Sequence, residues 1–499
     1  MSLKEKAKSG IAWNVVADFS IQVLRFGSSI VLARLLFPQD FGMMGIATIF
    51  INFAKRLANF GFSAALVQKK DIDRVHIDSM FWFNTLVYGL VALGIYFGAA
   101  MAGEFFKNPR LKDILPVVAL AFFIESLSSV PDAILKRKLK FKKLAFSRLF
   151  RNIVNITVAI TLAVLGFGVW SLVWGMLIGN AIRLGYILFY ARWWPRLYFS
   201  VQRLKEMAGF GIGVSLANYL NFFIKNVDYF FIGRFLGMEP LGYYERAFNL
   251  VNMTRRRVAR NIKGVLFATY SQIQDENEKI RIGLNKVLHS VGILSYPIHG
   301  LLYFLAPALI YNLYGERWVA TILPLQIMCF SGIVNSLIVV FSPVLMAKKR
   351  VFAWTVVQIV YLVLMIIAIW FGLPYGVPGV AIAVAGSSLV YLFGMIYVTR
   401  LAVGFTFRNF WQNQKDLLLY IVPAVAGTYF LDRMLSLHYG PYSVIKALFL
   451  TAMFLSLIVF SHLIWQKPFV SEFFDELFSF IRKRVNSVQG RTHEKLVKK

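Results

Sequence analysis

Fourteen apolar stretches, most of them close to the length of a bilayer-crossing helix, follow one another along this chain with only short polar joints between them. They lie near 11–33, 42–58, 79–102, 113–131, 149–166, 170–190, 208–232, 242–257, 287–310, 319–346, 351–373, 377–399, 416–433 and 442–465. A helix needs roughly 20 consecutive apolar residues to cross the hydrocarbon layer, and lipid admits only helices or closed barrels. The pattern predicts an all-α integral membrane protein with about 14 transmembrane helices, the second and eighth being short. The first stretch is interrupted by Asp18 and Arg25 and lacks a small-residue cleavage site, so it reads as an uncleaved membrane helix. No joint is long or polar enough for a separate soluble domain. Any chemistry has to occur within the membrane or against it.

The charge pattern sets the sidedness. The 499 residues carry 54 Lys and Arg against 24 Asp and Glu, a net +30, although 58% are hydrophobic. A nucleic-acid protein of this charge would place it on a polar surface, whereas here it sits in short joints between apolar runs, which excludes nucleic acid as a partner. With the N-terminus in the cytoplasm, 42 of the 54 basic residues fall on the cytoplasmic side, seven fall on the opposite side and five lie within spans. Cytoplasmic loops of membrane proteins are enriched in Lys and Arg, so both termini are expected in the cytoplasm. The joints Lys136–Arg151 and Arg255–Lys263 mix basic residues with Phe and Leu. They read either as segments in an anionic headgroup layer or as topogenic signals alone. The run Phe469–Ile481 repeats apolar residues at helical spacing ahead of Arg482, Lys483 and Arg484, the pattern of an interfacial helix. Cys329 is the sole cysteine and the histidines are scattered without a HExxH pair, so neither a disulfide nor a metal site is expected.

A repeat organises the chain. LARLLFPQDFG (Leu32–Gly42) returns as IGRFLGMEPLG (Ile232–Gly242), with Arg34 and Arg234, Leu36 and Leu236, and Gly42 and Gly242 each separated by 200 positions. Six helices fill that spacing. Because six is even, the second copy starts on the same side as the first, which gives two parallel six-helix lobes around a central cavity. The expected domains are an N-terminal lobe at 1–205, a C-terminal lobe at 206–405, two extra helices at 406–466 and a cytoplasmic amphipathic tail at 467–499. Pro38 and Gly42, matched by Pro240 and Gly242, sit at equivalent lobe ends, and Pro297 interrupts the ninth stretch. Either kinks there let one lobe rock against the other, or they are ordinary helix ends.

The first stretch of each repeat carries a polar stripe. Asn14, Asp18, Gln22 and Arg25 fall within about 80° of one another around a helix, and so do Asn218, Asn221, Lys225 and Asp228. An ionised group near the bilayer centre costs roughly 2.5–3.5 kcal/mol or more, so such stripes either line a hydrated cavity or bond to neighbouring helices, for instance as an Asp18–Arg25 pair. Glu245 and Arg246 on the eighth stretch, and Lys55 and Arg56 at the end of the second, add to a cavity that is net positive. Such a cavity suits an anionic ligand, with Arg and Lys on a lipid diphosphate and the amides on sugars. Lys55 and Arg56 could equally snorkel to the headgroups.

LARLLFPQDFG together with GFSAALVQKKDIDRVHIDSMFWFN (Gly61–Asn84), LKRKLKFKKLAFSR (Leu135–Arg148), GFGVWSLV (Gly166–Val173) and NVDYFFIGRFLGMEPLGYYERAFNL (Asn226–Leu250) resembles the polysaccharide transporter family. These are the Wzx-type flippases of the multidrug/oligosaccharidyl-lipid/polysaccharide (MOP) superfamily, and the likeness is to the lipopolysaccharide and colanic acid exporter branch. It runs from about residue 10 to about residue 400. The resemblance implies a fourteen-helix fold with alternating access in a bacterial inner membrane. It implies translocation of an undecaprenyl-diphosphate-linked oligosaccharide, with membrane lipids and the polymerase and export proteins of the same pathway as partners. It also implies cavity roles for Asp18, Arg25, Arg56, Lys225, Asp228, Glu245 and Arg246, no cofactor, and coupling to Na⁺ or H⁺. Asp228 with Gln358 is the candidate coupling site, the alternative being a salt bridge from Asp228 to Lys225. A cation-coupled multidrug antiporter of the same fold would want an acidic, aromatic pocket, against the positive interior here. A membrane glycosyltransferase or polymerase would need a catalytic acid or base on a sizeable outer loop. Glu104, Asp113 and Glu316 are isolated there, so no enzyme activity is expected.

Overall fold

The computed structural model describes residues 3–58, 66, 71–208, 215–259 and 262–465, and among these all regular structure is helical. The helices are α1 (Leu3–Leu35), α2 (Pro38–Leu57), α3 (Arg74–Phe105), α4 (Leu111–Leu127), α5 (Ser129–Arg137), α6 (Phe141–Val164), α7 (Val169–Ala191), α8 (Val201–Ala208), α9 (Ser215–Phe231), α10 (Met238–Ala259), α11 (Ile262–Gln272), α12 (Asn277–Leu309), α13 (Ile322–Ala347), α14 (Val351–Gly372), α15 (Gly376–Val403), α16 (Phe407–Leu435) and α17 (Val444–Trp465). Single π-helical turns, Ile232–Leu236 and Ile310–Tyr314, end α9 and α12. The expected interfacial helix at Phe469–Ile481 lies outside the described residues.

Ten helical stretches among the described residues are long and apolar enough to cross a membrane, which makes this a multi-pass membrane protein. Ten is fewer than the fourteen expected, for two physical reasons. The stretch Val351–Val403 counts once although it has 53 residues, and as a single rod it would reach about 80 Å. The 3₁₀ turn Leu373–Tyr375 divides it into α14 and α15. Helices α2, α9 and α10 are not among the ten: α2 carries Asp40 in its first turn and Lys55 and Arg56 in its last, α9 carries Asn218, Asn221, Lys225, Asn226 and Asp228, and α10 carries Glu239, Glu245, Arg246 and Arg255 to Arg257.

The chain forms two compact units. The first comprises Met1–Ala247, Leu313–Pro324 and Leu362–Val384, and the second comprises Phe248–Asn312, Leu325–Tyr361 and Ala385–Lys499. In the first unit α6 lies along α7 at glycine contacts, since a Cβ on Gly175 would sit 2.7 Å from the Asn155 carbonyl oxygen. Small residues at such a crossing let backbones approach, which stands in for the hydrophobic drive that lipid removes. Leu66, Met80, Phe81, Val130, Leu135, Leu144 and Ile187 form an apolar core, with Trp193 edge-on to Phe81. In the second unit Phe304, Ala424, Leu450, Phe454 and Ile458 join α12, α16 and α17. Stacked Tyr361 and Tyr391, with centroids 4.5 Å apart, set α14 beside α15. Phe97, Met101, Phe189 and Phe352 are more than 70% exposed, as lipid-facing side chains should be.

The repeated motif closes on itself in the first unit. Pro38 occupies the first turn of α2, where its missing N–H costs nothing, and the Phe37 N–H donates to Asp40 Oδ2 at 3.0 Å. Four residues later Gly42 meets its counterpart. A Cβ on Gly42 would sit 1.9 Å from the Met238 carbonyl oxygen, and a Cβ on Gly242 would sit 1.9 Å from the Pro38 carbonyl oxygen. The contact is reciprocal, 42 on 238 and 242 on 38. The arginines repeat the exchange: Arg34 Nε donates to the Leu313 carbonyl at 2.8 Å, and Arg234 Nη1 donates to the Phe105 carbonyl at 2.6 Å. Each satisfies a carbonyl left open at a helix end. We call this set the clasp. Trp318, fully buried, seals it by donating from Nε1 to the Ala33 carbonyl at 2.8 Å and by standing edge-on to Phe41.

Two outcomes follow. Gly42→Ala or Gly242→Ala should destabilise the protein by about 1–3 kcal/mol through overpacking, whereas Gly27→Ala, with open space around it, should not. Thermal unfolding in detergent measures both. In the second unit, buried Lys446 Nζ contacts Asp432 at 2.7 Å and Ser436 Oγ at 2.7 Å. Lys446→Met alone should cost roughly 3–5 kcal/mol, and pairing it with Asp432→Leu should restore most of that loss.

Candidate functional site

Most of the polar residues picked out by the sequence fall in the first unit, on α1, α2, α9 and α10. On α1 the stripe faces α6. Arg148 of α6 donates from Nη1 to Asp18 Oδ1 at 3.0 Å and from Nη2 to Asn14 Oδ1 at 2.6 Å. Arg25 Nε donates to Asn152 Oδ1 at 2.9 Å, and Asn152 Nδ2 in turn donates to the Arg148 carbonyl at 2.7 Å. Gln22 is half-buried between these two contacts. Asp18 and Arg25 are thus each held by a residue of α6. The stripe is satisfied from the next helix, because residues on one face of a helix point at a packed neighbour more readily than at each other.

The same face of α6 continues into a second set of charges. Lys55 Nζ contacts Glu125 Oε2 at 2.8 Å, and Arg151 Nη1 reaches Glu125 Oε1 at 3.6 Å and Asn180 Oδ1 at 3.4 Å. Arg183 of α7 holds Asp132 at 2.6 Å. Lys55 is thus bound to a carboxylate rather than snorkelling. Arg148 and Arg151 correct the expectation of a basic loop over Lys136–Arg151, for α6 begins at Phe141 and carries both arginines inside the helix. Of the other basic joint, Arg255–Lys263, most side chains lie outside the described residues.

Across α2, α9 and α10 the arrangement is more aromatic. The Arg56 guanidinium lies 5.1 Å from the Phe222 ring centre, and Phe53 packs 5.2 Å from the same ring. Asp228 is buried, accepting from Tyr244 Oη at 2.6 Å and from the Tyr229 N–H at 3.0 Å. Tyr244 of α10 is thus one of its partners. Asn221 is half-buried, Lys225 is exposed, and the Asn218 side chain lies outside the described residues. Arg246 stands 3.7 Å over the Phe41 ring and 5.8 Å from Trp318, with Glu245 3.5 Å from its Nε. That places Arg246 in an aromatic box directly behind the clasp, where cation–π attraction is strengthened by exclusion of water. Gln358 belongs to the second unit, buried beside the Tyr391 hydroxyl, which also accepts from the Trp354 indole at 3.1 Å. The proposed partners Asp228 and Gln358 therefore sit in different units.

Glu125, Asp132, Arg148, Arg151 and Arg183 belong to the polar set although the sequence did not single them out. The signal available was spacing: Arg148, Arg151 and Asn152 share one helical face once α6 is extended back to Phe141. Among the described residues no group of three His, Cys, Asp or Glu is placed to hold a metal. What the arrangement can do chemically is bind an anion, since guanidinium groups fork onto phosphate oxygens with two parallel hydrogen bonds.

The chain is similar to several known proteins. The lipopolysaccharide biosynthesis protein WzxC of Escherichia coli is 26% identical over 353 residues, covering 70% of this chain and 72% of that protein. The succinoglycan biosynthesis transport protein ExoT of Rhizobium meliloti is 27% identical over 310 residues, covering 62% of each. A solved structure of a lipid II flippase, MurJ in an inward closed conformation, superposes with a TM-score of 0.72 at 16% identity, covering 93% of this chain and 99% of that one. At that identity the likeness shows the fold alone. Residues 31–323, more than half of the chain, match the family described as polysaccharide biosynthesis protein, and the chain belongs to that family.

Proposed function

We propose that this protein is a flippase that carries an undecaprenyl-diphosphate-linked oligosaccharide, a polysaccharide or lipopolysaccharide precursor, across the bacterial inner membrane by alternating access. The observation that carries the reading is the set of guanidinium groups on helices of the first unit: Arg25, Arg148 and Arg151 on α1 and α6, which are long and apolar enough to cross a membrane, and Arg56 and Arg246 against aromatic rings on α2 and α10. Charges within membrane-crossing helices are costly and are kept where an ion passes or binds. A lipid diphosphate is the anion that a polysaccharide-building pathway moves through a membrane. The names of WzxC, ExoT and the lipid II flippase support the same substrate class.

In this reading the termini and the basic joints face the cytoplasm, and the clasp at Gly42 and Gly242 is the closed outer gate. The lipid-linked sugar enters from the inner leaflet, its diphosphate meets the cationic groups, and its sugars meet Asn14, Gln22, Asn218 and Asn221. Separation of the clasp then opens the way to the outer leaflet. No bond is made or broken, so the protein is a transporter and not an enzyme. The pathway's polymerase and export proteins are its partners. Coupling to Na⁺ or H⁺ is assigned to Asp228, whose carboxylate is held by Tyr244 at the root of α10.

Deleting the gene should make lipid-linked oligosaccharide accumulate on the cytoplasmic leaflet, seen as glycolipid in extracted membranes with surface glycan lost. Unaltered export of every surface glycan would reject the reading, and a broadened drug-susceptibility profile in its place would favour the multidrug antiporter. Asp228→Asn should abolish the dependence of transport on the ion gradient while the purified protein keeps its fold. Transport by this variant that still collapses with the Na⁺ or proton gradient would remove Asp228 from coupling.

A further inference from the structure

At one end of α6 and α7 the first unit gathers cations that no carboxylate meets. α6 begins at Phe141 with Lys140 as its N-cap and Lys142 and Lys143 in its first turn, which holds no acidic residue. α7 stops at Ala191 and is capped by Arg192. The charges of Lys140 and Arg192 both act on the Lys143 ammonium, and both repel it. Lys143 Nζ lies 3.6 Å over the Tyr190 ring, and Lys142 Nζ lies 4.7 Å over the Trp13 ring. An aromatic face holds a cation without cancelling its charge. Among the described residues the ion pairs of these two helices belong to Arg148, Arg151 and Arg183 further along, and none to Lys140, Lys142, Lys143 or Arg192.

The backbone works against this arrangement twice. The N-terminal end of a helix carries a positive partial charge, which disfavours lysines there. Arg192 adopts a φ of 49°, a left-handed conformation in which glycine is the easier residue. An anion set against the three neighbouring cations offsets both their mutual repulsion and the helix dipole.

The residues after Arg192 fix the depth of the site. Trp193 is buried edge-on to Phe81. Beyond it the chain is pinned along α3: the Trp194 carbonyl accepts from Arg74 Nη2 at 3.1 Å, the Arg196 carbonyl accepts from Trp82 Nε1 at 2.7 Å, and the Ser200 N–H donates to Ser79 Oγ at 2.9 Å. Trp194, Leu197, Tyr198 and Phe199 are left outside, each more than half exposed. They follow directly on Val169–Ala191, a stretch fit to cross a membrane, and aromatic residues just past a span belong at headgroup level.

We propose that Lys140, Lys143 and Arg192, backed by Tyr190, bind the phosphate of an anionic phospholipid of the surrounding leaflet, a resident lipid and not the carried one. The occupant follows from charge complementarity and depth. Three unopposed cations favour a headgroup with net negative charge over a zwitterionic one, and the exposed aromatic row sets them in the layer where phosphodiesters lie. The bound phosphate ties the start of α6 to the end of α7. The site lies outside the flippase reading and takes from it only that this end of the bundle faces the cytoplasm.

The test uses the full-length protein in dodecyl maltoside micelles, with native mass spectrometry following the tightest lipid adduct during titration with dioleoylphosphatidylglycerol. Dioleoylphosphatidylcholine and inorganic phosphate are the comparison arms. Lys140→Gln, Lys143→Gln and Arg192→Gly should each weaken phosphatidylglycerol binding about fivefold. Arg350→Gln, Arg400→Gln and Lys415→Gln, which remove exposed cations elsewhere in the chain, should leave it unchanged. Each change at the site removes repulsion, and glycine suits the left-handed backbone at position 192. The lipid-free variants should therefore unfold at no lower temperature than the native protein. If a lysine variant does not fold, Arg192→Gly carries the comparison. Unchanged phosphatidylglycerol binding by the folded site variants, or equal weakening by Arg350→Gln, Arg400→Gln and Lys415→Gln, would overturn the proposal. Phosphatidylcholine binding as tightly would overturn it too, as would inorganic phosphate displacing the lipid at equal concentration. None of these outcomes touches the flippase reading, whose failure shows as surface glycan export that does not depend on the gene.

Discussion

An ion inside a hydrocarbon layer has to be paired, hydrated or removed, and most of the specific structure of this protein follows from how that demand is met. Apolar length and small-residue contacts are enough to make helices pack in a membrane, but they do not say which helix packs against which. The ion pairs do. Arg148 ties α6 to α1 through Asp18, Glu125 ties α4 to α2 and α6, and Arg183 ties α7 to α5. Each pair fixes a register between helices that greasy faces alone would leave free to slide.

The second organising feature is the reciprocal contact between repeats. A duplicated helix end packed against its own copy puts Gly42 on Met238 and Gly242 on Pro38, and it exchanges the arginine caps in the same sense. Only a residue without a side chain permits that approach. Directly behind it Arg246 is boxed by Phe41 and Trp318 beside Glu245. The clasp is tied to the interior, since Phe41 of α2 lies under the Arg246 guanidinium of α10.

Much of this was legible in the sequence and some was not, for reasons that differ by residue. The helical class follows from the length of the apolar runs, and the pairing of Gly42 with Gly242 is foreshadowed by their equal spacing. Helix count was harder. The charges on α2 and α10 are what make them poor membrane helices by composition, and α14 and α15 are joined by a turn with no polar break. The partners of buried charges were the least legible. Asp18 and Arg25 share a face of α1, which suggested each other, yet both look across to α6. Asp228 is held by a tyrosine sixteen residues on, a partner that its own helix does not announce. Spacing along a helix reports which residues share a face, and it carries no information on what that face meets. Arg148 and Arg151 were hidden for another reason, because basic residues at the start of a span look like a loop until a carboxylate is found opposite them.

The most direct measurement is movement of the lipid itself. Purified protein would be reconstituted into vesicles holding a fluorescent, diphosphate-linked oligosaccharide lipid, with a membrane-impermeant quencher added outside and an ion gradient imposed. We expect the inner-leaflet pool to become accessible to the quencher at a rate set by the amount of protein, and a matched lipid lacking the diphosphate to stay protected. Exposure of the diphosphate-linked lipid no faster than in protein-free vesicles would contradict the claim that this chain is a flippase.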